Sequence, residues 1–121
     1  MGGGLNEMAV EKSPAELYLE REKRISDAIA LRVPDRIPVI VSFSYFAAKY
    51  CGISLKDAMY DGPKMAAAWE KTITDFVSDA YENPFGTRHV GMLSEIINYK
   101  MMKWPGHGVG DNVNFQYLDF E

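Results

Sequence analysis

Between Val33 and Pro38 the chain reads Val-Pro-Asp-Arg-Ile-Pro, and Val39, Ile40, Val41 and Phe43 follow at once. Each proline pushes its predecessor out of the α region, so no helix runs through this segment. The residues after Pro38 are β-branched or aromatic with little alternation, which predicts a strand buried on both faces. Strands of that kind belong to parallel sheets, whose neighbours are joined by crossovers of a dozen or more residues, usually helical. The segments on either side must therefore supply helices.

They do so with local signals. Ser13-Pro14-Ala15-Glu16 places a hydroxyl that can accept from free backbone N–H groups, a proline at the first helical position and a glutamate able to reach back. The spacing predicts a helix over about 14–31, with Leu17, Ile25, Ala28 and Ile29 as its apolar stripe. Glu20 faces Lys23 and Arg24 on its wet side. Ser54, with Asp57 three residues on, predicts a short helix ending near Tyr60. Asp61-Gly62-Pro63 opens another, in which Met65, Trp69, Ile73, Phe76 and Val77 recur at spacings of three and four. A second strand is expected around Ala80 and Tyr81, then a turn at Pro84-Phe85-Gly86. Residues 88–98 read as a helix through Met92, Leu93, Ile96 and Ile97, and 99–104 as a third strand. The glycine-rich stretch Pro105-Gly106-His107-Gly108-Val109-Gly110 is expected to be a loop. After it, Val113, Phe115 and Tyr117 alternate as an extended segment does.

Strand and helix alternation defines an α/β class with a parallel sheet. At 121 residues the chain fits one domain, expected over 13–121 behind a flexible tail at 1–12. Three parallel strands without a closing partner leave backbone edges that natural domains cover, so further chain, a homo-oligomer or a partner chain is expected over the open edge.

Charge and cysteine usage exclude several classes. Thirteen Lys and Arg against 17 Asp and Glu leave a net charge of −4, with no basic run to meet phosphates, so nucleic acid is not an expected partner. The uncharged stretch 37–48 is far short of the roughly 20 residues that span a bilayer, and no membrane association is expected. Residues 1–13 lack the basic-then-apolar pattern of a secretory leader, and Asn6 stands where a myristoylation signal needs Ser or Thr. A single cysteine, Cys51, rules out an internal disulfide and suits a reducing, cytoplasmic compartment.

In parallel α/β folds ligand sites gather at the carboxyl ends of strands. Ser42, Ser44 and Tyr45 follow the first strand, and Glu82 and Asn83 follow the second. Glu82, with Asn83 beside it, is the candidate general acid or base; its other reading is a solvated loop carboxylate. His107 is a candidate ligand contact, because flanking glycines let backbone N–H groups approach an anion. The same loop is not a dinucleotide fingerprint, since no helix start follows it. The two histidines, His89 and His107, have no metal-ligand spacing, and no metal site is expected in these residues. Cys51 reads as a small apolar residue.

Several stretches together resemble the uroporphyrinogen decarboxylase family. They are Ile25-Ser26-Asp27-Ala28-Ile29 through Val33-Pro34-Asp35-Arg36-Ile37-Pro38-Val39, then Phe46-Ala47-Ala48-Lys49-Tyr50-Cys51-Gly52-Ile53, Gly62-Pro63-Lys64-Met65-Ala66 and Phe76-Val77-Ser78-Asp79-Ala80. Trp104-Pro105-Gly106-His107-Gly108 and Phe115-Gln116-Tyr117 resemble divergent anaerobic and corrinoid methyltransferase-like members more than the haem-pathway enzyme. The likeness runs from about Ser13 to the end. It implies a (β/α)8 TIM barrel, which takes roughly 250 residues or more and of which this chain would be the N-terminal part, inactive alone. It also implies a small-molecule substrate and one of two activities: decarboxylation of a tetrapyrrole, or corrinoid- or thiol-dependent methyl transfer. A third reading is a non-catalytic partial-barrel interaction module.

The departures bear on chemistry. The decarboxylase has paired arginines after its first strand, whereas 42–50 contains none and Lys49 is the one cation. A key aspartate after the second strand is replaced by Glu82 and Asn83, while Asp79 matches a strand-start aspartate with a structural role. Losing the arginine fork weakens the tetrapyrrole assignment and leaves Ser44, Tyr45, Lys49 and His107 as the candidate substrate-binding residues. Zinc or corrinoid would enter only in the full-length methyltransferase reading, with metal ligands in the later half of the barrel.

Overall fold

The computed structural model describes residues 11–83 and 90–119. Two compact units divide the chain, residues 1–39 and 40–121. The expected turn at 84–86, the start of the helix expected at 88 and His89 lie outside the described residues.

In the first unit, α1 spans Pro14–Ile29 and opens on the expected capping box, in which Ser13 and Glu16 satisfy each other's backbone N–H groups. It stops two residues before the expected end. Leu31 takes φ 56°, its N–H bonds Ala28 O at 3.1 Å, and the Arg32 N–H bonds Asp27 O at 2.8 Å. That pair of bonds is a Schellman closure, here with leucine at the position usually given to glycine. The expected stripe is also corrected: Leu17, Ile25 and Ala28 are half-buried, but Ile29 is 78% exposed. The buried residues of α1 are Arg24 and Asp27, held by ion pairs rather than apolar packing. Arg24 grips Asp35 with two bonds of 2.7 and 2.6 Å, and Asp27 accepts from Arg32 at 2.8 Å and from Lys23.

In the second unit, β1 (Ile40–Val41) and β2 (Ala80–Tyr81) pair in parallel, Ile40 opposite Ala80 and Val41 opposite Tyr81. The crossover between them carries α2 (Phe46–Tyr50), α3 (Leu55–Tyr60) and α4 (Gly62–Asp75). Ser54 caps α3 by accepting from the Asp57 N–H at 2.9 Å, and Asp61 caps α4 by accepting from the Lys64 N–H at 3.1 Å, both at the expected places. Met65, Ala68, Trp69 and Thr72 form the buried face of α4. The first three of these join Phe43, Tyr45, Ala47, Ala48, Ala58 and Met59 in one core, with Phe43 edge-on to Trp69.

Three expectations fail here for physical reasons. The first strand is not buried on both faces: it is two residues long and Ile40 is 58% exposed, because β2 is its sole partner among the described residues. The α4 stripe stops at Ile73, since Phe76 turns extended (φ −113°, ψ 93°) and leaves Val77 exposed. The next helix, α5 (Val90–Ile96), buries Gly91 and Ser94 rather than Met92, Leu93, Ile96 and Ile97, which stay exposed. Gly91 decides this: a Cβ there would sit 2.4 Å from the Tyr60 ring, so its missing side chain lets α5 lie against α3.

The third strand, β3 (Met102–Pro105), forms a separate sheet with β4 (Gly108–Val109) and, antiparallel, with β5 (Gln116–Tyr117). The expected loop over 105–110 instead folds back on β3. His107 N–H bonds Trp104 O at 2.7 Å and Trp104 N–H bonds His107 O at 3.1 Å, with Gly106 and Gly108 at φ 86° and 92°. Among the described residues no helix is long and apolar enough to cross a membrane.

Candidate functional site

The chain leaves β1 through Ser42 and Phe43, and Phe46 N–H closes a turn on Phe43 O at 2.8 Å. Inside that turn Ser44 holds φ 43°, a left-handed conformation that costs a non-glycine residue of order 1 kcal/mol. The turn aims the chain into α2 and forms one wall of a cleft of about 590 Å³. Ser44, Tyr45 and Lys49, three of the four expected substrate-binding residues, all line it. Phe46, Ile53 and Leu55 supply its apolar surface, and Asn112 and Asn114 close it from the segment leading to β5. That segment is fastened to α3 by the Lys56 N–H, which bonds Asp111 O at 2.9 Å.

The polar groups of the cleft are unevenly satisfied. Tyr45 is 6% exposed, and its hydroxyl has no hydrogen-bond partner among the described residues. Burial pushes that phenol well above its ordinary range, so it stays a protonated donor. Asn114 Oδ1 accepts the Phe115 N–H at 2.8 Å, which leaves the amide NH2 to donate. The Lys49 ammonium has no carboxylate partner among the described residues, whereas Lys56, Lys64 and Lys71 pair with Asp111, Asp57 and Asp75.

His107, the fourth expected contact, lies elsewhere. It lines a second cleft of about 400 Å³ with Glu95, Asn98, Lys100 and Trp104. Its Nε2 is 2.6 Å from Glu95 Oε1, and its ring stacks on Trp104 at 4.3 Å. The Tyr60 hydroxyl donates to the same Glu95 oxygen at 2.7 Å and accepts from Trp104 Nε1 at 2.8 Å. The Tyr60 bond first, and His107 second, hold the Glu95 carboxyl below the usual carboxylate range. Glu82 and Asn83 follow β2 on exposed chain, where the Glu82 N–H extends the pairing to Val41 O at 3.1 Å. Neither lines the two clefts just described.

Sequence reasoning did not find Asn112, Asn114, Tyr60 or Glu95. The asparagines reach the first cleft through the pairing of β5 with β3 and the bond from Lys56 N–H to Asp111 O, and no local pattern announces either. Tyr60 and Glu95 meet because of Gly91, a signal that is readable only once α5 is known to lie against α3.

Among the described residues no three His, Cys, Asp or Glu side chains come together. The Cys51 thiol donates to Ala68 O at 3.5 Å and lies 3.9 Å from the Thr72 hydroxyl, the environment of a packed cysteine. No protein-family model, no curated protein and no solved structure matches this chain.

Proposed function

We propose that the chain is the N-terminal portion of a uroporphyrinogen decarboxylase-like barrel and that the cleft at the end of β1 is part of its substrate mouth. The observation that carries this is the placement of Ser44, Tyr45 and Lys49 together at the carboxyl end of a strand in a parallel, helix-crossed pair, where such folds bind ligands. Exposed apolar residues on β1 and α5 support it, because further strands and helices of a barrel would cover them. A cytoplasmic setting suits the lone thiol.

Within the family, methyl transfer is the second reading. It is favoured by Lys49 being the one cation that lines the cleft among the described residues, since an acidic tetrapyrrole brings several carboxylates and Lys49 can meet one. The intact gene product isolated from its source cells should have a mass well above 13.6 kDa and should decarboxylate uroporphyrinogen or methylate a thiol. The chain of 121 residues alone should do neither. A native mass of 13.6 kDa with a cooperative thermal transition and no turnover overturns the reading.

A further inference from the structure

We infer that the cleft at the end of β1 takes a small, largely apolar monocarboxylate, its carboxylate met by the Lys49 ammonium and its body laid against Phe46, Ile53 and Leu55. The inference rests on the reading above that this cleft is the small-molecule mouth, and it narrows the ligand.

The charge count comes first. Among the described residues Lys49 is the single charged side chain lining the cleft, and it has no ion-pair partner there. A cation without a counter-charge, beside apolar walls, favours one anionic group and gives no compensation for a second. A polyacid would press its remaining carboxylates against Phe46, Ile53 and Leu55, where they lose water and gain no cation.

Hydrogen-bonding capacity points the same way. The Tyr45 hydroxyl is a buried donor with no partner among the described residues, and the free end of the Asn114 amide is also a donor. Lys49 and the Asn114 amide, both lining the cleft, therefore offer donors to an acceptor-rich group, as a carboxylate is. The apolar side is aromatic as well as aliphatic: Phe46 packs against Phe43, Tyr50 and Phe76 and still remains 46% exposed. A volume of about 590 Å³ suits a ligand of one or two rings.

The test titrates the intact gene product, by calorimetry, with 3-phenylpropionate, its neutral amide and uroporphyrin. The expected result is binding of 3-phenylpropionate at least tenfold tighter than the amide, with Lys49→Gln erasing that preference and Lys49→Arg keeping it. Lys49 is exposed, and an unchanged thermal transition checks that each variant folds. Equal affinity for acid and amide, or a preference that survives Lys49→Gln, overturns the inference. Binding of uroporphyrin but not 3-phenylpropionate also overturns it while leaving the barrel-mouth reading in place. Failure of all three probes to bind overturns both.

Discussion

Leu31 and Gly91 show how single residues set what the elements do. Leu31 holds φ 56° with its side chain 94% exposed, so it bears the cost of the left-handed backbone without packing in return. Leu31→Gly removes that cost and loses little contact. Against it stands the larger unfolded-state entropy of glycine, so the net gain should be about 0.5 kcal/mol. A rise in the urea midpoint checks this, and an unchanged or lower midpoint contradicts it. Gly91 carries the opposite sign. In most helices Gly→Ala stabilises by about 1 kcal/mol. Here the new methyl would meet Tyr60 carbons at 2.4, 2.7 and 2.9 Å, all in one ring. The clash outweighs the propensity, and Gly91→Ala should destabilise by about 2 kcal/mol. It should also separate Tyr60 from Glu95, visible as a change in the Trp104 indole N–H resonance.

Helix starts were legible in the sequence because a start is local. Ser13, Ser54 and Asp61 each accept from a backbone N–H three residues on, and each is recognisable without knowing what the helix packs against. Helix ends and strand partners were not. The end of α1 uses leucine where glycine is the usual signal, and the partners of β3 lie across a turn whose glycines read equally well as loop. Ser44 and Tyr45 were singled out by strand-end position and Lys49 by the missing arginines, and all three line one cleft, but the separation of His107 from them was not legible, because it depends on the docking of α5. The segment between α1 and β1 has its own pH signature. The bidentate Arg24 pair holds Asp35 at about 2, below the ordinary aspartate value of 3.8. A depressed folded value means that the pair stabilises above about pH 4, and that this contribution is lost as the pH falls from 4 towards 2. Asp35→Asn should therefore lower stability at pH 7 and flatten its fall across that window. A variant whose acid limb is as steep as that of the parent would show that Asp35 is not the titrating group.

Across the molecule, the exposed apolar residues decide between a covered and an uncovered fold. Ile40 on β1, Ile96 at the end of α5 and Ile97 just after it are each more than half exposed, and scattered single residues of this kind are ordinary on protein surfaces. What is not ordinary is their placement: β1 has an open edge among the described residues, and Met92, Leu93 and Ile96 recur on α5 at spacings that make one stripe, continued by Ile97. If the remaining strands and helices of a barrel cover that stripe, a charge placed in it is harmless in the short chain and costly in the intact protein. Ile96, 73% exposed, is the residue to change. In the chain of 121 residues Ile96→Lys should shift stability by no more than about 0.5 kcal/mol, as surface substitutions do. In the intact gene product the same change should cost about 3 kcal/mol, because a buried ammonium would have lost water without gaining a partner. Denaturant melts of both proteins, each with and without the substitution, measure the difference directly. Equal and small effects in both would mean that nothing covers α5, and that the stripe faces water in the intact protein as it does here.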